Sequence, residues 1–416
     1  MATPLNDDVL IAIMAILVWD SARSTAAAMM LSSRRLYHEG GKLLLSRNVD
    51  LRTSSQVSSF IAFCLAEKAS RATYVRDLTL ATYPLSPALA SSLAELVPMF
   101  IGIKKLALIR ADLLLRGHEA LAEAFTSLTS LEDLSLLKGS TSGDLLITLK
   151  SSNLRKLTLY ETVIPRPLRT GVRTFAGVST LHITYLWMDI LIMDPYIRVF
   201  PHVSSLSVTY AAIRERHSNY PSHPAFGALG GARDTQNVRC INQAAQTSGR
   251  GWEDLEQLET DLPTAWVLGL SCKVKRLALY IPHDRDLRLL PDVLADVRPE
   301  VLELTLAGDE FLKHPVAVAH VLDTLTVTLS LGKQDIDVMK SCVAHVAQCF
   351  VPSGVRSFRL RLGNSDEWDG ESSREHSPPL EWSEEIDIEG WAQEIRHEMP
   401  SLEEVEVEVT RHVRAH

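Results

Sequence analysis

Bond-making chemistry needs a nucleophile, a base or a set of metal ligands, and few places in this chain could supply one. His217, His223 and Cys240 fall in one stretch, but their spacing matches no zinc-ligand pattern, so they read as loop residues. Cys342 and Cys349 stand seven apart in a helical stretch, two turns along one face, and read as buried thiols. The glycine-rich GALGGARD from Gly227 lacks the Lys-Ser/Thr pair of a phosphate loop and follows no predicted strand. The sequence contains neither a G-x-S-x-G elbow nor an H-E-x-x-H helix. Carboxylates crowd the C-terminal end, where a run of charge reads as a solvated face rather than an acid–base couple. The expectation is a protein without a catalytic site, a metal or a cofactor, whose work is done by surfaces.

Side chains suited to recognition sit on a repeated strand. The pattern apolar-x-x-apolar-x-apolar reads VRDLTL from Val75, IKKLAL from Ile103, LEDLSL from Leu131, LRKLTL from Leu154, VSTLHI from Val178 and VSSLSV from Val203. It resumes with VKRLAL from Val274, LDTLTV from Leu322, VRSFRL from Val355 and LEEVEV from Leu402. The first six copies start 28, 28, 23, 24 and 25 residues apart. Ten strict copies far exceed the about two expected by chance at this composition. A period in the twenties with this strand is the leucine-rich-repeat signature, in which each unit buries its apolar edge only against neighbours. SPALASSLAELVPMF from Ser86 and GHEALAEAFTSL from Gly117 supply amphipathic return helices. A doubly wound α/β fold would need strands apolar on both faces; these alternate. The predicted fold class is therefore α/β, an irregular leucine-rich-repeat solenoid with a parallel sheet along its concave side. Alternation places Lys105, Lys156, Tyr160, Arg276, Tyr280, Arg359 and Arg361 on that side as target-binding candidates, with His182 and Glu303 between them. Residues 211–254, rich in Pro, Gly, His and Arg, read as a partly mobile insertion, and 364–385 as an acidic disordered loop. A last helix is expected over Ser383–Met399, with Ile388, Trp391, Ile395 and Met399 on one face.

Ahead of the repeats lies a segment of another kind. Asp7 and Asp8 open a predicted helix whose apolar residues, VLIAIMAILVW over Val9–Trp19, go nearly all the way round. Such a helix must be covered by its own domain on one side and by something else on the other. A second helical stretch runs from Ser24 to Leu45, with Gly40–Gly41 as its expected break. LNDDVLIAIMAIL resembles the opening of an F-box, with Leu5, Asp8, Val9, Leu10 and Ile13 on matching positions, and LSSRRLYHEGGKLLL resembles its second half through Ser33, Arg34, Tyr37, Leu44 and Leu45. Asn6 stands where that family usually has Pro, and Tyr37 where many members have Trp. The resemblance implies a three-helix F-box over 1–50, followed by repeats over 51–416. It implies docking on the Skp-family adaptor of cullin–RING ubiquitin ligases, with Leu5, Val9, Leu10, Ile13 and Leu17 as adaptor contacts. The chain would then be a non-catalytic substrate receptor, monomeric within a hetero-complex, recruiting an unknown protein. The alternatives are a repeat scaffold unconnected with ubiquitin, and a GTPase-activating repeat protein of the Ran type.

Charge and composition bound the partners. The 416 residues carry a net −9, but residues 364–409 hold sixteen acidic and two basic side chains and the remainder nets +5. Nucleic acid is a poor expectation for a net acidic chain; a protein with an acidic patch suits the Lys- and Arg-leaning row, which the acidic end is expected to screen when empty. Val9–Trp19 is too short to span a bilayer and has no basic flank. Five scattered cysteines without a C-x-x-C point to a reducing compartment, cytoplasmic or nuclear.

Overall fold

The computed structural model describes residues 6–20, 22–66, 70–138, 143–162, 173–185, 191–210, 232–281, 284–307, 322–331, 341, 344–345, 348–350, 353–364 and 387–409. The chain divides into two compact units, 1–181 and 182–416. Among the described residues there are thirteen strands, ordered in the sheet as they are in the chain.

In the first unit three helices, α1 (Asp7–Trp19), α2 (Arg23–Met30) and α3 (Arg34–Leu45), pack on one another ahead of the first strand. Asn6 caps α1, its Oδ1 accepting the Asp8 N–H at 3.1 Å, and Ser33 caps α3 through the Leu36 N–H at 3.2 Å. The chain breaks at Leu31–Ser33, and α3 runs straight through Gly40 and Gly41, where a break was expected. These glycines serve close approach: a Cβ on Gly40 would stand 2.3 Å from Met14 Cε and 2.4 Å from Met30 Cγ. Met14, Met30 and Leu36 form the core of the trio, with Leu10, Ile11, Tyr37 and Phe63 packed around it.

The sheet of this unit contains β1 (Asn48–Leu51), β2 (Asp77–Leu80), β3 (Lys105–Ile109), β4 (Asp133–Leu137) and β5 (Lys156–Tyr160), each parallel to the next. All three apolar stations of the repeat are buried: Ile103, Leu106 and Leu108 are at most 2% exposed, as are Leu131, Leu134 and Leu136. Returns are made by α4 (Ser54–Leu65), α5 (Pro87–Leu96) and α7 (Glu119–Thr126), which pack in sequence, with short α6 (Ala111–Leu115) and α8 (Gly143–Thr148) between strands. After β3, β4 and β5 the chain turns through Arg110, Lys138 and Glu161, all at positive φ between 54° and 57°. The Arg110 N–H then reaches Leu137 O at 2.6 Å and Lys138 N–H reaches Tyr160 O at 2.8 Å.

The strand β6 (Thr180–Tyr185) spans the boundary between the units. The second unit continues with β7 (Ser205–Tyr210), β8 (Asp254–Asp261), β9 (Lys273–Ile281), β10 (Val301–Ala307), β11 (Thr324–Leu331), β12 (Ser357–Asn364) and β13 (Glu404–Val409), again parallel neighbour to neighbour. Parallel strands in chain order, each followed by a return segment, make this a leucine-rich-repeat-type α/β solenoid.

Part of the stretch read as an insertion is structure. Residues 211–231 lie outside the described residues, but Ala232–Ala245 is a helix, α10 (α9 being Asp194–Val199). Polar side chains hold it. Asn242, fully buried, accepts the Met193 N–H at 2.8 Å and donates to Leu191 O and Val267 O at 2.9 and 3.0 Å. Gln246 donates to Leu268 O and Gly269 O and accepts the Ser271 N–H at 2.9 Å. Arg239 bridges Asp296 at 2.6 Å with its guanidinium over the Trp266 ring. Together they satisfy the inter-repeat backbone groups around α11 (Leu262–Leu268), which apolar side chains cannot do. In the first unit buried hydroxyls do the same work: Ser151 donates to Leu131 O at 2.7 Å and Thr82 to Leu51 O at 3.0 Å. The last helix, Ile388–Glu398, buries Trp391 and Ile395 as expected, followed by Met399, and leaves Ile388 exposed. The acidic stretch 365–386 lies outside the described residues.

Candidate interaction surfaces

Helix α1 has two apolar faces. Met14 and Val18 are buried and Leu10 packs inward beside Met14. On the opposite side Val9, Ile13, Ile16 and Trp19 are 46%, 38%, 60% and 69% exposed. At 100° per residue these four fall within one stripe, completed by exposed Ala12. The Arg47 guanidinium lies 3.7 Å from the Trp19 ring centroid and holds the indole in place. Asp8 pairs with Arg35 at 2.5 Å beside the stripe. Of the adaptor contacts expected from sequence, Val9 and Ile13 are on the outer face, Leu17 is half-buried, Leu10 belongs to the core, and Leu5 lies outside the described residues. Ile16 and Trp19, the most exposed of the stripe, were missed because motif positions rather than helical angle guided the choice.

The helix-free sheet face of the first unit presents three rows, one residue per strand. Asp77, Lys105, Asp133 and Lys156 are in register across β2–β5. Next come Thr79, Ala107, Ser135 and Thr158, then half-buried Ile109, Leu137 and Tyr160. Lys138 Nζ lies 5.8 Å from the Tyr160 ring centroid. Partial burial holds the Asp77 carboxyl above its usual range, while neighbouring Lys105 pulls it back.

In the second unit the same face is charged, and its arginines are paired across strands. Arg276 pairs with Glu303 at 2.7 Å, Arg359 with Glu406 at 2.5 Å and Arg361 with Glu408 at 2.9 Å. Three of the expected target-binding arginines are thus engaged by acids on the next strand. The acids that screen Arg359 and Arg361 belong to β13. Tyr280 is half-buried, in register with Asp261 on one side and Thr305 on the other. Asp261 is buried beneath this region: it caps α11 by accepting the Thr264 N–H at 2.8 Å and its hydroxyl at 2.6 Å, and that hydroxyl meets Tyr185 Oη at 2.6 Å. Burial pushes the Asp261 carboxyl up to about 6, against the pull of those hydrogen bonds, and nearby Asp286 adds to the rise.

Cys64 and Cys272 are placed for packing rather than reaction. Burial pushes Cys64 up to about 12 and Cys272 up to about 11, so neither supplies thiolate at neutral pH. Cys240 is exposed on α10 near Gln236, and Cys349 is buried. His217, His223 and Cys342 lie outside the described residues. Among the described residues no helix is long and apolar enough to cross a membrane.

No protein-family model and no curated protein matches this chain. Among solved structures it is similar to the leucine-rich repeat-containing protein LegL7 from Legionella pneumophila, at 12% identity and a TM-score of 0.39, covering 76% of this chain and 91% of that one. The fold assignment rests on the strand order and register described above.

Proposed function

We propose that this chain is the substrate receptor of an SCF-type ubiquitin ligase, working in the cytoplasm or nucleus without a catalytic site of its own. The helical trio over the first 45 residues docks on a Skp-family adaptor and, through it, on the cullin–RING machinery. The repeats hold a protein target close to the charged ubiquitin-conjugating enzyme, and the raised local concentration drives transfer. One observation carries this reading: α1 buries Met14 and Val18 yet turns Val9, Ile13, Ile16 and Trp19 to solvent. An apolar stripe of that kind on a folded module is the mark of a protein interface. The F-box-like residues quoted above favour the Skp adaptor as the protein that covers it.

The test is co-purification of the full chain with recombinant Skp adaptor, wild type against Ile13→Asp/Ile16→Asp. Ile16 is mostly exposed and Ile13 partly so, and loss of the adaptor from a double variant whose thermal melt matches the wild type supports the reading. Equal recovery of adaptor with both chains, or none with the wild type, would leave a scaffold unconnected with ubiquitin.

A further inference from the structure

The two units treat the charges of their open sheet faces differently. In the second, Arg276, Arg359 and Arg361 each meet a glutamate within 2.9 Å. In the first, Asp77, Lys105, Asp133 and Lys156 alternate in sign strand by strand, yet none of the four enters an ion pair within 4.0 Å among the described residues. Lys105 and Lys156 are exposed. Beyond this row the floor is small, with Ala107 and Ser135, and then apolar at Ile109, Leu137 and Tyr160. On the first face the alternating charges interact only at longer range, Asp77 with Lys105 among them, whereas on the second each of these arginines is held by a glutamate of the next strand.

From this pattern we infer that the target contact lies on β2–β5 and takes an amphipathic helix of the partner, laid across the strands with charges alternating along one stripe. The inference rests on the receptor reading above and adds which face and what ligand. Neighbouring strands are about 4.8 Å apart, and three to four helical residues advance about 5 Å. A helix therefore meets each successive strand with one side chain of a single stripe. An extended segment does not, since its like-facing residues recur every ~6.8 Å. Complementarity requires a base opposite Asp77, an acid opposite Lys105, a base opposite Asp133 and an acid opposite Lys156. The adjoining stripe is apolar and rests on Ile109, Leu137 and Tyr160.

Two synthetic amphipathic helices of equal composition provide the probe, one with Lys-Glu-Lys-Glu at successive turns of the charged stripe and leucines beside it, the other with Lys-Lys-Glu-Glu. Fluorescence anisotropy against the full chain is expected to show the alternating peptide binding at least about fivefold tighter, the yield of a few partly exposed pairs. Lys105→Glu/Lys156→Glu reverses that preference in favour of an all-Lys stripe, and the milder Lys105→Ala/Lys156→Ala weakens the alternating peptide without affecting the fold. Arg359→Ala/Arg361→Ala leaves binding unchanged. Equal affinity for the two peptides, no binding of either, or a loss caused by the arginine variant instead of the lysine ones would overturn the inference. Adaptor co-purification, run on the same variants, is independent of all these outcomes. Its failure counts against the receptor reading, and failure of the peptides alone counts against this one.

Discussion

If α1 is the adaptor face, alanine substitutions along it must follow the exposure of the side chains they remove. Fully burying an isoleucine contributes about 2–3 kcal/mol, and Ile16 keeps 60% of its surface to contribute. Ile16→Ala should therefore cost about 1.5 kcal/mol of binding, roughly tenfold in Kd. Trp19, 69% exposed, offers the largest area, and Trp19→Ala should cost about 3 kcal/mol, over a hundredfold. Val9→Ala and Ile13→Ala, with 46% and 38% to contribute, should cost about 1 kcal/mol each. Arg47→Ala should cost several-fold by releasing the indole from its stacked position. Trp19→Ala and Ile16→Ala should shift the melting temperature least, while Val9→Ala and Ile13→Ala also give up the half or more of their surface that the fold already covers. Met14→Ala reverses the pattern, because a fully buried methionine in the trio core costs about 3 kcal/mol of stability while contributing no contact. Titration calorimetry with purified Skp adaptor, paired with thermal melts, reads both columns. A flat profile, with Trp19→Ala and Ile16→Ala within twofold of wild type, refutes the reasoning, as does a ranking led by Leu17.

Three further outcomes follow from the second unit. Asn242→Ala orphans the Met193 N–H and the carbonyls of Leu191 and Val267, so it should cost about 3 kcal/mol and raise hydrogen exchange across α10 and α11, leaving β1–β5 protected. The raised Asp261 pKa means the native state holds that proton more tightly than the unfolded chain. The stability it contributes is full below about pH 4, falls as pH rises to about 6 and is flat above; urea unfolding across pH 4–7 should show Asp261→Asn losing a slope worth about 3 kcal/mol over that window. Arg359→Ala/Arg361→Ala removes two partly exposed pairs, which should cost at most about 1 kcal/mol each in low salt and less in 0.5 M salt, measured by paired urea titrations.

The strands were legible because all three apolar stations are buried in every repeat but the last, whose Leu402, Val405 and Val407 are half-buried, so the sequence period and the physical period coincide; Ile103, Leu106 and Leu108 are a complete example. Helix α10 was not, because Arg239, Asn242 and Gln246 hold it to backbone carbonyls and carboxylate, and a search for apolar period cannot see polar stitching. Gly40 misled for a related reason: glycine weakens a helix in isolation, but Met14 and Met30 occupy the space a Cβ would take. Alternation correctly placed Arg359 and Arg361 on the open face, yet their partners Glu406 and Glu408 lie 47 residues on. Only the register of β12 with β13 brings them together. On α1 the sequence announced that two sides would be apolar, and the helical angle, once fixed by the core, decided which residues face out.

Strand order that repeats chain order also has a consequence during synthesis. Each strand from β2 to β5 pairs with the one 23 to 29 residues before it, as Lys156 with Asp133 and Asp77 with Asn48, so no repeat awaits a distant partner. A ribosome adding about 5–20 residues per second delivers one such repeat every few seconds, and each can dock on the last as it leaves the exit tunnel. The helical trio is made first and needs no strand beyond the earliest returns to cover it. Stalled ribosomes carrying about the first 200 residues, room for the trio and β1–β5 plus the tunnel, should already retain the adaptor on their nascent chains, before β7–β13 have been translated.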